Sequence, residues 1–148
     1  MNSISLSIFE PSAVSKSRFN VFLHKTDDLF SVPLSLRVNI DEYAEKLANS
    51  SFNFFLETES EDAAHAGLYI NKEESKAYLS SIAVLPVFFG KGLGSKLLQE
   101  IECFLKKHNI RLIELEADLN SKKLRNFYTK AGFKITEDVG KFILLKEL

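Results

Sequence analysis

Gly90, Gly92 and Gly94 fall on alternate positions, directly after an apolar run and a proline and directly before an amphipathic stretch. Residues 82–98 read I-A-V-L-P-V-F-F-G-K-G-L-G-S-K-L-L. Ile82, Ala83 and Val84 have the character of a buried strand end, and Pro86 stops that strand because proline cannot donate to a sheet ladder. A strand, a glycine turn and a helix in this order leave unpaired backbone N–H groups at a helix N-terminus. Those groups and the helix dipole bind phosphate. Glycine lets the backbone come close to an anion and take positive φ. The candidate cradle is therefore Phe89, Gly90, Lys91, Gly92, Leu93, Gly94 and Ser95. Lys91 either adds a charge to it or is a solvated surface lysine.

The spacing excludes two common phosphate loops. A Walker loop needs G-x-x-x-x-G-K-[ST], and Gly92 stands after Lys91 where Ser or Thr is required. A dinucleotide fingerprint needs G-x-G-x-x-G, and here the third glycine comes one place early. Three glycines alone would equally suit an ordinary strand–helix turn.

The elements around the loop must position it. Ile4, Leu6 and Ile8 alternate with serines, a half-buried strand pattern. Phe19, Phe22 and Leu23 recur at helical spacing. Ser31-Val32-Pro33 is a breaker, and a clearer helix follows with Ile40, Tyr43, Ala44 and Leu47 on one face. Asn39 can cap it, with Glu42 three residues on. Residues 52–59, 64–70 and 77–84 read as a three-strand meander, with tips at 57–62 and 71–74. After the glycines, Leu93, Leu97, Leu98, Ile101, Phe104 and Leu105 share a helical face that runs to about His108, with Asn109 as C-cap. Residues 110–117 form a strand, 121–131 a short helix closed by Gly132, and 133–136 with 141–146 a hairpin around Asp138-Val139-Gly140. The order is βααβββαβαββ, in one domain over residues 1–148, with no linker or repeat to divide it.

The loop resembles the acyl-CoA loop of the GNAT (Gcn5-related N-acetyltransferase) superfamily, V-x-P-x-x-(R/Q)-G-x-G-x-(G/A) followed by a helix with paired leucines. Val84, Pro86, Gly90, Gly92, Gly94, Leu97 and Leu98 fall in register. Phe89 stands where that family has Arg or Gln. A second block, N-F-Y-T-K-A-G-F over residues 126–133, resembles the family's F-Y-x-x-x-G-F through Tyr128, Gly132 and Phe133. At the place of the family's asparagine ahead of this tyrosine stands Ser121, with Asn120 one residue earlier. Either the loop holds an extra residue or Ser121 takes that role with a shorter reach.

The resemblance implies an α/β (α+β) single-domain fold with a mixed, mostly antiparallel sheet splayed between its fourth and fifth strands. It implies acetyl-CoA as donor and a small-molecule or peptide amine as acceptor. The pantetheine arm would pair with Ile82, Ala83 and Val84, and an N–H near Val84 would meet the thioester oxygen. Ser121 would contact the cofactor, and Tyr128 would protonate the leaving thiolate; a phenol near pKa ~10 suits that task. Read without the family, Tyr128 is a packing aromatic between helix and sheet. The general base is open. Glu57 and Glu59, His65, and Glu114 or Glu116 on the fifth strand are candidates, as is water held by Tyr78 or Ser80.

Composition bounds the alternatives. The chain has 148 residues, 45% hydrophobic and 26% charged, with net charge −1. That balance gives no footprint for nucleic acid or an anionic membrane. No apolar stretch nears the ~20 residues of a membrane span, and residues 1–10 lack a signal-peptide pattern. Cys103 is a single cysteine and reads as structural; with scattered histidines it gives no metal-ligand spacing. The expectation is a cytoplasmic enzyme, monomer or homodimer. A transferase using a longer acyl-CoA, or a CoA-binding module without turnover, are the competing readings.

Overall fold

The computed structural model describes residues 3–29, 33–117, 121–138 and 141–148. Seven strands form one sheet: β1 (Ser5–Phe9), β2 (Phe52–Glu57), β3 (Asp62–Asn71), β4 (Lys76–Val84), β5 (Leu112–Ala117), β6 (Lys134–Asp138) and β7 (Lys141–Glu147). They lie in the order β1-β2-β3-β4-β5-β7-β6. The β4–β5 pair is parallel and the other neighbours are antiparallel. Among the described residues five α-helices accompany them: α1 (Lys16–Thr26), α2 (Leu34–Arg37), α3 (Ile40–Ser50), α4 (Leu93–Lys107) and α5 (Lys122–Lys130).

Each face of the sheet buries a different set of side chains, because successive strand residues point to opposite faces. The amphipathic face of α4 supplies Leu97, Leu98, Ile101 and Leu105 to a cluster with Phe54, Leu68, Leu79 and Ile113. On the other face Phe19 and Leu23 of α1 meet Ala44 and Leu47 of α3 over Phe55. The cap expected at α3 is present: Asn39 Oδ1 accepts the Glu42 N–H at 3.0 Å. Asn109 takes φ +58 just past α4, as a residue closing a helix does.

The expected order is observed, with α2 added as one further turn between α1 and α3. Strand β2 ends at Glu57, so Glu59 lies in the turn and not on the strand; Thr58 shapes that turn by donating to the Glu61 carbonyl at 3.1 Å. Strand β5 starts at Leu112, because Ile110 N–H closes onto Leu105 at the end of α4. Ser31-Val32, Asn120 and Val139-Gly140 lie outside the described residues.

Two features of β4 shape the site. Its pairing with β5 is confined to Lys76–Leu112, Ala77–Ile113 and Tyr78–Glu114. Both strands continue, β4 to Val84 and β5 to Ala117, without further pairs among the described residues, so the sheet is splayed there. The second feature is a bulge. Gly67 opposes Ser81 and Leu68 opposes Leu79, which leaves Ser80 as the extra residue.

Candidate active site

The glycine turn has the geometry an anion cradle needs. Gly90 and Gly92 take φ +78 and +74, and a Cβ on either would meet nothing within 4 Å, so both stand in open space. Gly92 is the residue before α4, and the first intrahelical bond there is Lys96 N–H to the Gly92 carbonyl at 3.0 Å. The N–H groups of Leu93, Gly94 and Ser95 precede that bond and have no intrahelical acceptor to reach. Gly94 has another reason to lack a side chain: a Cβ would sit 3.2–3.3 Å from the Phe127 ring of α5. Leu93 is buried and anchors the start of α4, while Lys91 lies with Nζ 5.6 Å from the centroid of the Phe88 ring. Phe89 is 54% exposed beside the turn, and its backbone N–H is given to the Pro86 carbonyl at 3.1 Å. Phosphate bound here would receive backbone N–H groups and the dipole of a fifteen-residue helix.

Ile82, Ala83 and Val84 form the last part of β4, past the final β4–β5 pair. On their other side they pair with Ala66, His65 and Ala64 of β3. Their edge toward β5 thus lies outside the β4–β5 ladder on the way to the glycine turn, and a peptide-like arm could pair with it by strand addition. Tyr128 belongs to the same apolar cluster as Leu93, with Ile82 and Val84 packed against it. The Phe127–Gly94 contact holds α5 to the start of α4. Ser121 caps α5, its Oγ accepting the Leu124 N–H at 3.3 Å.

Tyr128 is 4% exposed, edge-on to Phe127 and Phe133. Burial pushes its phenol up to about 12. It is therefore a neutral hydrogen-bond donor throughout the physiological range.

The base candidates separate cleanly. Glu57 accepts from Arg18 at 2.8 Å, and that contact holds its carboxyl below the usual range. His65 is buried against Phe19, Phe22 and Phe55, with Nε2 2.8 Å from Asn53 Oδ1. Burial, then the nearby Arg18 charge, pulls its pKa down to about 3. It is a core histidine of β3. Glu114 pairs with Lys76 at 3.2 Å. Glu116 lies exposed on the same face, past the last β4–β5 pair. Burial first, then Glu116, Tyr43 and Glu114, raise the Tyr78 phenol above its ordinary value. These charges and rings therefore share the face of the splay covered by α3.

Sequence reasoning missed Tyr43, which it read only as a helix-face residue. Its Oη lies 2.7 Å from Ser80 Oγ and donates to the Ser80 carbonyl at 3.3 Å, directly at the bulge. A glycine inside a strand pattern, Gly67, was the signal that a bulge or a close approach was present. Among the described residues no cluster of His, Cys, Asp and Glu could hold a metal ion, and no helix is long and apolar enough to cross a membrane.

Known proteins match this arrangement. The PaiA N-acetyltransferase of Thermoplasma acidophilum, solved with coenzyme A, superposes with a TM-score of 0.76 at 21% identity, over 97% of this chain and 99% of that one. The ribosomal-protein-S18-alanine N-acetyltransferase of Escherichia coli gives 0.71 at 19% identity, over 99% and 93%. A GNAT family acetyltransferase of Elizabethkingia anophelis with acetyl-CoA bound gives 0.70 at 16% identity, over 98% of each. Curated protein sequences give no match. The sequence model of the acetyltransferase (GNAT) family matches residues 20–133, which span the bulge, the splay, the glycine turn and Tyr128. The chain belongs to the GNAT acetyltransferase family.

Proposed function

We propose that this protein transfers an acetyl group from acetyl-CoA directly to a primary amine of a small molecule or peptide. The observation that carries the reading is that the end of β4, unpaired with β5, runs into the glycine turn at the head of α4. An elongated thiol ester with a polyphosphate at one end fits that shape. Family membership and fold neighbours solved with coenzyme A or acetyl-CoA support it.

In this reading the N–H groups from Gly90 to Ser95 hold the pyrophosphate, the Phe89 N–H being already given to the Pro86 carbonyl at 3.1 Å, and Ser121 borders the cofactor. The free edge of Ile82, Ala83 and Val84 orients the arm, and a backbone N–H near Val84 polarises the thioester carbonyl. Glu116, at the mouth of the splay, attracts the acceptor's ammonium group and removes its proton directly or through water. Attack of the free amine forms the amide bond and breaks the carbon–sulfur bond.

Tyr128 donates to the sulfur as charge develops on it. Its phenol near 12 is a weaker acid than a thiol near ~8.5, and full proton transfer between them would be uphill by roughly 5 kcal/mol. The role is thus a hydrogen bond that strengthens in the transition state, with the proton for the free thiol coming ultimately from solvent.

The test is calorimetric titration with acetyl-CoA joined to a free-thiol release assay over a panel of amines. Binding with amine-dependent thiol release supports the proposal. Binding without release across the panel favours a binding module, and preference for a longer acyl-CoA moves the donor.

A further inference from the structure

The bulge of β4 lies where the strand leaves β5, and two residues of α3 seat on it one helical turn apart. Leu47 occupies the notch left by Gly67: a Cβ on that glycine would meet Leu47 Cδ2 at 3.0 Å. Tyr43 reaches Ser80 from the turn before. The two polar groups satisfy one another. Tyr43 O–H donates to the Ser80 carbonyl at 3.3 Å, and Ser80 Oγ, 2.7 Å away, can donate back to the phenol oxygen. An extra strand residue has no ladder partner, so its carbonyl and hydroxyl would otherwise depend on water. The last β4–β5 pair is Tyr78–Glu114, two residues before Ser80, and the free edge of β4 begins beyond it.

We propose that Tyr43 is a positioning residue: its paired hydrogen bonds to Ser80 fix the bulge, and the bulge sets the direction in which residues 81–84 present their N–H groups to the thioester. This inference rests on the transferase reading. A strand free on one side can rotate about its bulge, and reaction geometry is sensitive to shifts of an ångström. Tyr43 locks that rotation to α3. Because Tyr43 never touches the reacting atoms, its loss leaves acetyl-CoA affinity nearly intact and lowers turnover.

The experiment compares wild type, Tyr43→Phe, Ser80→Ala and the double variant by steady-state kinetics, acetyl-CoA calorimetry and amide hydrogen exchange. Tyr43→Phe should lower kcat by roughly 5- to 100-fold while the acetyl-CoA dissociation constant moves less than about threefold. Exchange at residues 79–84 should quicken by roughly three- to tenfold, with residues 52–57 of β2 unchanged. The double variant should be no worse than Tyr43→Phe alone, since both remove one interaction. Unchanged kcat in a folded Tyr43→Phe protein, additive losses in the double variant, or exchange that quickens evenly across the sheet would each overturn the proposal. If wild type neither binds nor turns over acetyl-CoA, the transferase reading fails. The exchange pattern then decides by itself whether Tyr43 fixes the bulge.

Discussion

Helices α3 and α4 cover opposite faces of one sheet, and they are held by different physics. Helix α4 lies on a broad aliphatic surface: Leu97, Ile101 and Leu105 are fully buried, and neighbours such as Phe54, Leu68 and Ile113 are equally dry. Helix α3 covers a face that contains buried polar groups, among them His65, Asn53 and Ser51. Besides its apolar cluster of Ala44 and Leu47 with Phe19, Leu23 and Phe55, it docks through one notch at Gly67 and one hydrogen-bonded pair at Ser80. Apolar packing tolerates small shifts in angle, whereas a notch and a hydrogen bond specify one seat. The α4 side thus supplies stability and begins at the glycine turn proposed as the anion cradle. In the proposed function, the α3 side aligns the end of β4 that would pair with the thioester arm.

That contrast can be broken most sharply in the α4 core. Leu97→Ala removes a fully buried side chain and should cost about 2–5 kcal/mol in urea unfolding, whereas Tyr43→Phe should cost no more than about 1.5. Similar losses at both positions would erase the distinction.

Acid should attack the α3 face first. His65 has its folded pKa lowered to about 3 from an ordinary 6.5, so the folded state disfavours its charged form. Its contribution is complete above about 6.5 and is lost as pH falls toward 3, at up to ~1.4 kcal/mol per pH unit. Denaturant midpoints should decline between pH 6.5 and 4.5, before carboxylates such as Glu57 protonate, and His65→Gln should flatten that decline. A flat wild-type profile over this window would contradict the burial of a neutral histidine.

The cradle is the next target. Gly92→Val forces a β-branched residue to φ +74, at about 1–2 kcal/mol of stability, and sets side-chain bulk in the open space before α4. Calorimetry should show acetyl-CoA affinity lost while the circular dichroism spectrum remains that of a folded chain. Phe89→Arg should have a smaller effect of opposite sign. A guanidinium at this exposed position adds a charge-assisted contact to phosphate, tightening binding by up to about tenfold at low salt and less as salt rises. An unchanged or weaker affinity would show that the Phe89 ring itself contributes, by packing or by stacking on the adenine.

The two sides also differed in how far the sequence revealed them. The glycine turn, Pro86 and the leucines of α4 are local signals, each confined to a few consecutive residues, so the turn and the helix after it were readable before any pairing was known. The splay was an expectation from family resemblance, and the three-pair β4–β5 ladder bears it out. The α3 side depends on register. His65 looked like a base candidate until its pairing with Ala83 placed it under the phenyl rings of α1 and β2. Ser80 became the bulged residue only through the offset between Gly67 and Leu68. Tyr43 and Ser80 are thirty-seven positions apart, and no spacing rule connects them. Glu59 was misassigned because acidic residues at a strand end and in a tight turn look alike.

The central claim, that this chain is an acetyltransferase whose Tyr128 serves the leaving sulfur, is tested most directly by Tyr128→Phe. The substitution keeps the ring that packs on Phe127 and Phe133 and removes only the hydroxyl. With acetyl-CoA and any accepted amine, kcat should fall by about 10- to 100-fold, the worth of one hydrogen bond to developing charge. The acetyl-CoA dissociation constant should change little. Equal turnover by wild type and Tyr128→Phe would contradict the account.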